Sequence, residues 1–206
     1  MKAEPGENRI LLRGQMAGPP RISHESHGTQ YHTFPLSVPR LSGTADVLNI
    51  LVPHTVLEQL DPRPGDGLEL AGEVRSFNNR SGTGSRLVIS VLARSLTFHD
   101  GPPVNELYLE GALCKAPIHR RTPLGRDICD LLLAVNRRYG RADYLPCIAW
   151  GSLAVACSEL TVGTRVGIEG RLQSRIYHKE ENGLTTDRTA YEVSAMTMVL
   201  NPSAGD

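Results

Sequence analysis

The sequence predicts an all-β protein: two tandem five-stranded barrels, each with one short helix between its third and fourth strands. Three observations point there. The chain matches itself at an offset of 97 residues, which pairs Asn8 with Asn105 and Arg40 with Arg137. Apolar residues in each copy alternate with polar ones at the period of two that puts one face of a strand on a core. Glycines fall inside strand-like runs, at Gly111 and Gly170, where a small closed barrel must bend sharply.

The self-match runs without a gap from Asn8/Asn105 through Leu12/Leu109, Gly14/Gly111, Pro20/Pro117, Gly28/Gly125, Leu36/Leu133 and Val38/Val135 to Ala45-Asp46/Ala142-Asp143. A one-residue shift then pairs Gly65 with Gly163, Gly72 with Gly170 and Ser76 with Ser174, and a longer hairpin in the second copy precedes Leu96/Leu200. A unit of this length is a duplicated domain, because solenoid repeats are roughly 20 to 50 residues long. The turn-rich HDGPPVN joins the copies, so the expected domains are 1–100 and 105–206.

Taken in order, the second copy opens with a strand carrying Leu107, Leu109 and Leu113, which ends at a PIHRRTPLG turn. ICDLLLAV makes a second strand and Asp143 to Trp150 a third. LAVACSEL is a short helix with Ser152 as its N-cap, closed by Gly163. In the first copy HTVLEQL carries Thr55 and Glu58 at capping-box spacing, ahead of Pro62 and Pro64. A fourth strand follows from Arg165 to Tyr177, with Val166, Ile168, Gly170, Leu172 and Ile176 inward and Arg165, Glu169, Arg171, Arg175 and Tyr177 outward. A fifth strand ends each copy. Strand-strand-strand-helix-strand-strand is the order of the OB fold, whose second and third strands bind oligonucleotides.

Composition excludes several classes. The chain holds 22 basic and 22 acidic residues, so it does not coat a polyanion by bulk charge. No apolar run is long enough to span a membrane, and the start MKAEPGENR lacks the apolar stretch of a secretory leader, so a cytoplasmic protein without membrane attachment is expected. Cys114, Cys129, Cys147 and Cys157 lack CxxC spacing and read as buried thiols of a reducing compartment. His24, His27 and His32 share a loop but match no ligand spacing. GxSxG, GxGxxG and GxxxxGKS/T are absent, so the expectation is a protein that is not an enzyme and takes no cofactor or metal. The hairpins NNRSGTGSR and HKEENGLTTDR are expected as turns, the longer one as a flap over a bound strand.

The stretch NRRYGRADYLPCIAW, Asn136 to Trp150, concentrates the candidate chemistry. If its second half is extended, Tyr144, Ile148 and Trp150 share one face, and Leu145, Cys147 and Ala149 share the other. Arg137, Arg138, Arg141 and Tyr139 sit in the turn that leads in, where cations meet phosphates and rings stack on bases.

NELYLEGALCKAP, RRTPLG, LAVNRRY, DYLPCIAWGSLA and VGIEGRLQSRIY occur in this order, and through them residues 105 to about 200 resemble the bacterial single-stranded DNA-binding protein family. The resemblance implies an OB fold that binds single strands without chemistry. It places the family's stacking positions on Tyr139, Tyr144, Trp150 and Tyr177, all aromatic here. Strand parity independently sets Tyr144 with Trp150, and Tyr177 beside Arg171 and Arg175. Phosphate contacts are expected from Arg120, Arg121, Arg137, Arg138, Arg141, Arg171, Arg175 and Lys179.

The first copy departs from the pattern. It has Ser42, Val47 and Pro53 where the second has rings, and Glu69 and Glu73 on its fourth strand, where carboxylates repel phosphate. It is expected to be a degenerate OB domain, a scaffold or dimerisation module, with Arg40, Arg75 and Phe77 as remnants of a weak site. Pro39 and Pro53 bracket its third strand and suggest an edge with a short ladder. The chain ends in NPSAGD rather than the acidic, hydrophobic tip of the family, so tail-mediated recruitment of replication or repair enzymes is not expected. The expected assembly is a homodimer presenting four OB barrels. The function expected is largely sequence-independent single-stranded DNA binding in replication, recombination or repair. A duplicated protein-interaction scaffold and single-stranded RNA binding are the alternatives.

Overall fold

A computed structural model of the chain describes residues 6–79, 87–181 and 184–201, the side chains at 179–181 and 184 excepted. Both copies form closed OB barrels with one short helix each, as the alternation of apolar residues predicts. No helix among the described residues is long and apolar enough to cross a membrane.

The first copy supplies β1 (Asn8–Met16), β2 (Arg21–Ser26), β3 (Thr29–Pro39), β4 (Ala45–Pro53), α1 (His54–Leu60), β5 (Gly67–Asn78) and β6 (Leu87–Phe98). Their order is β2-β3-β4-β6-β5-β1, and a β3–β1 pairing closes the barrel. The β4–β6 pairing is parallel at Ile50↔Val91, whereas β1–β5, β3–β4 and β5–β6 are antiparallel. Leu12, Phe34, Leu36, Leu48, Ile50, Leu70 and Val91 fill the interior.

The second copy repeats the plan with β7 (Val104–Leu113), β8 (Ile118–Arg121), β9 (Asp127–Asn136), a single 3₁₀ turn (Arg138–Gly140), β10 (Ala142–Trp150), α2 (Ser152–Ser158), β11 (Arg165–Glu181) and β12 (Leu184–Leu200). The order is β7-β11-β12-β10-β9-β8, closed by β7–β9, with β10–β12 parallel at Cys147↔Val193. Each copy adds one strand, β2 or β8, to the five barrel strands. Thus PIHRRTPLG holds a strand as well as a turn, and Arg120 and Arg121 lie on β8.

Gly111 and Gly170 sit where the barrel permits no side chain. A Cβ on Gly111 would lie 2.5 Å from the Ala134 carbonyl oxygen, beside the closing β7–β9 pairs, and one on Gly170 would lie 2.1 Å from that of Ser194. Their repeat partners Gly14 and Gly72 face the Ser37 and Leu92 carbonyls in the same way.

Several local expectations are corrected. α1 begins after Pro53 and α2 after Gly151, with no side-chain cap bond at either, so Thr55 and Ser152 are not N-caps. Pro39 ends β3 and Pro53 ends β4, and neither breaks the ladder. β4 pairs with β3 from Ala45 to Pro53 and with β6 at Ile50 and Leu51, so it is an interior strand. Ile176 is exposed rather than inward, because the β11–β7 ladder ends at Gly170↔Leu107. Ile148 shares a face with Tyr144 and Trp150 yet is buried, since β10 is flanked there by Asp130 of β9 and Ser194 of β12.

The compact units do not follow the repeat boundary. The first unit is Arg9–Asn105 with Gln173–Tyr191; the second is the chain up to Asn8, Glu106–Leu172 and Glu192 onward. Hydrogen bonds within the first unit account for the exchange of Gln173–Tyr191. The Ser174 N–H donates to Asp46 Oδ1 at 2.7 Å, Ser174 Oγ accepts from the Val47 N–H at 3.0 Å, and the Ser174 carbonyl accepts from Arg40 at 3.2 Å.

Candidate nucleic-acid interface

β10 and the turn before it carry the exposed rings of the second unit. β10 turns Leu145, Cys147 and Ala149 into the core, which leaves Tyr144 and Trp150 on the outer face, 48% and 43% exposed. In register, Tyr144 stands opposite the small Ala134 and Trp150 opposite Ile128, which is itself buried. Tyr139 is 98% exposed and left-handed, at φ 66° and ψ 29°, followed by the left-handed Gly140. A non-glycine residue held there costs about 1 kcal/mol, and such strain tends to cluster at binding sites.

The cations divide by their partners. Arg137 holds the fully buried Asp143 with Nε 2.6 Å from Oδ2 and a second bond from its terminal nitrogen, while its N–H donates to the Arg141 carbonyl at 2.7 Å. It therefore anchors the turn. Arg40 and Asp46, the repeat partners of this pair, do the same, with Nε 2.7 Å from Oδ2. Arg138 and Arg141 are exposed and Arg171 is half-buried. Among the described residues no carboxylate pairs with these three.

Arg120 and Arg121 pair across β8–β9, Arg120 Nε to Asp130 at 2.6 Å and Arg121 Nε to Asp127 at 3.2 Å. The bond from Arg121, with help from its charge and from His119, holds the Asp127 carboxyl below its ordinary range. Exposed pairs of this kind contribute little, so a phosphate can replace the carboxylate at small cost.

Tyr177 and Arg175 belong to the first unit, with the Arg175 guanidinium carbon 6.0 Å from the centre of the Tyr177 ring. The rings named from sequence thus fall three in one unit and one in the other. The Lys179 side chain lies outside the described residues, as do parts of both candidate hairpins. On the first copy, Glu69 pairs with Arg13 at 2.5 Å and Glu73 with Arg75 and Arg94, so these carboxylates are neutralised and Arg75 is committed to one of them.

The thiols offer no nucleophile. Burial pushes the Cys157 thiol up to about 11 and Cys147 higher still, which keeps both protonated at neutral pH.

Two partners of this surface were missed from sequence: Asp143 for Arg137, and Ser174 as the anchor of the long hairpin. The repeat held a clue to the first, since Arg40/Arg137 and Asp46/Asp143 both align.

Residues 104–200 match the model of the Single-strand binding protein family. The chain is similar to "Single-stranded DNA-binding protein B" of Bacillus subtilis (strain 168), 36% identical over 87 residues, which cover 37% of this chain and 74% of that protein. It is also similar to "Single-stranded DNA-binding protein 1" of Staphylococcus aureus (strain COL), 35% identical over 85 residues, covering 38% of this chain and 51% of the relative. The chain thus spans about half the length of most curated relatives it matches. In fold, it superposes on the wild-type single-stranded DNA binding protein from Thermus aquaticus with a TM-score of 0.79 and 22% identity, over 98% of this chain and 96% of the other.

Proposed function

The chain belongs to the single-strand binding protein family, and from that premise we propose that it binds single-stranded DNA, without chemistry and largely without regard to sequence. The observation that carries the proposal is the exposure of Tyr139, Tyr144 and Trp150 along one strand and its entry turn. Such rings serve no core. Each stacked base contributes about 1 to 3 kcal/mol, and a base of any identity has a face to stack. Arg138, Arg141 and Arg171 take phosphates directly. Arg120 and Arg121 do so by exchange with their carboxylates, and Arg137 keeps the turn in shape; Arg175 and Tyr177 offer a separate ring and cation on the first unit. The relatives' names, which specify single-stranded DNA, support DNA over RNA.

A homodimer presenting four barrels is part of the same proposal, supported by the exposed Met196, Val199 and Leu200 near the end of β12. Sedimentation giving a monomer at every concentration would exclude it.

Anisotropy titration of labelled oligothymidylate, its RNA counterpart and a duplex tests the binding. The single DNA strand is expected to bind best, with affinity falling by a slope near 0.7 per phosphate in log-log salt dependence. Equal affinity for the duplex would contradict the single-strand preference, and no binding or no salt dependence would favour the protein-interaction alternative.

A further inference from the structure

The first unit holds a cleft of about 310 Å³ whose lining includes Arg21, Thr33, Pro35, Val47, Asn49 and Tyr191. Its location follows from the duplication, because Val47 occupies the repeat position of Tyr144, on the matching strand of the other copy. The ring missing at Val47 is replaced by one from elsewhere in the chain. Tyr191 lies on β12, within the hairpin segment that clusters with the first unit, and it lines the same cleft as Val47. Burial holds its hydroxyl protonated well past neutrality.

We propose that this cleft is a second binding site, one that takes a single nucleotide of a bound strand with its base against Tyr191 and Val47 and its phosphate toward Arg21. The proposal rests on the single-strand binding reading above. Charge favours this occupant: among the described residues Arg21 is the only charged residue lining the cleft, and it is exposed. Size agrees, since the volume lies at the small end of ligand pockets, suited to one base rather than a folded segment.

The cleft also holds an oriented polar group. Thr33 Oγ1 donates to Asn49 Oδ1 at 2.6 Å, and Asn49 Nδ2 donates to Ser90 Oγ at 3.0 Å. An amide nitrogen has two hydrogens, so one remains for a base carbonyl. The first copy therefore contributes more than a scaffold, through a ring borrowed from the second copy's sequence.

The test is photocross-linking of the full chain to an oligothymidylate of about 35 nucleotides carrying scattered 5-iodouridine, followed by mapping of the adducts. An adduct on the Tyr191 peptide, retained in Tyr191→Phe and lost in Tyr191→Ala, is expected. Arg21→Ala alters an exposed side chain, so the fold is retained; it should weaken the 35-mer about fivefold and leave the amplitude of the Trp150 fluorescence response unchanged. Adducts confined to Tyr144 and Trp150, with full affinity in Arg21→Ala, would overturn the cleft and leave the main reading standing. No adduct on any peptide, with no retention of the oligonucleotide, would overturn both.

Discussion

Arg137 Nε lies 2.6 Å from the Oδ2 of Asp143, a carboxylate with no exposed surface, at the entrance to the strand that carries Tyr144 and Trp150. The same pair recurs at Arg40 and Asp46. Removing one member of such a pair strands a buried charge. Arg137→Ala should therefore lower stability by about 3 to 5 kcal/mol in urea unfolding, and binding should fall with it as the turn loosens. A variant with wild-type stability and weakened binding would instead make Arg137 a direct phosphate contact.

Tyr139 allows stability and binding to be separated. Its left-handed backbone suits glycine better than tyrosine, so Tyr139→Gly should melt no lower than the parent. It should nevertheless bind a single strand about 5-fold to 100-fold more weakly, the loss of one stacked base. Unchanged affinity would remove Tyr139 from the interface.

Gly170→Ala tests barrel closure. The new methyl would meet a backbone carbonyl oxygen at 2.1 Å, and backbone cannot swing aside as a long side chain can. A loss of about 1 to 3 kcal/mol or more is expected in denaturant unfolding. A neutral substitution would mean that β11 and β12 part more easily than their ladder suggests.

The thiols give a pH dependence with a definite sign. Cys157 has a folded pKa of about 11, above the value of about 8.5 in an unfolded chain, so the folded state holds the proton longer. Its contribution is fully present below about pH 8.5 and is lost as pH rises from there through 11. Urea unfolding should show the decline in the parent and a shallower one in Cys157→Ala. Alkylation at pH 8 should leave Cys147 and Cys157 unmodified until the chain unfolds.

Much of this architecture was legible because it is periodic. Alternation in DYLPCIAW separated Leu145, Cys147 and Ala149 from Tyr144 and Trp150, and the repeat located both barrels and both helices. Parity failed where neighbours decide burial: Ile148 is covered although it shares the ring face, and Ile176 is exposed where β11 has left its β7 partner. The pairing of Arg137 with Asp143 was not legible, because Asp143 looks like a polar residue at a strand start and nothing local announces that a carboxylate is buried. The seating of Ser174 on Asp46 joins residues 128 apart, a separation that no pattern within one copy can reveal.

The most direct test of the central claim uses Trp150, the only tryptophan in the chain, which is 43% exposed on the ring face of β10. Its fluorescence would be followed while an oligothymidylate of about 35 nucleotides is added at low and at moderate salt. Saturable quenching that weakens with salt is the predicted result and would put a single strand on β10. Emission that does not change, in a chain shown to be folded, would contradict the claim.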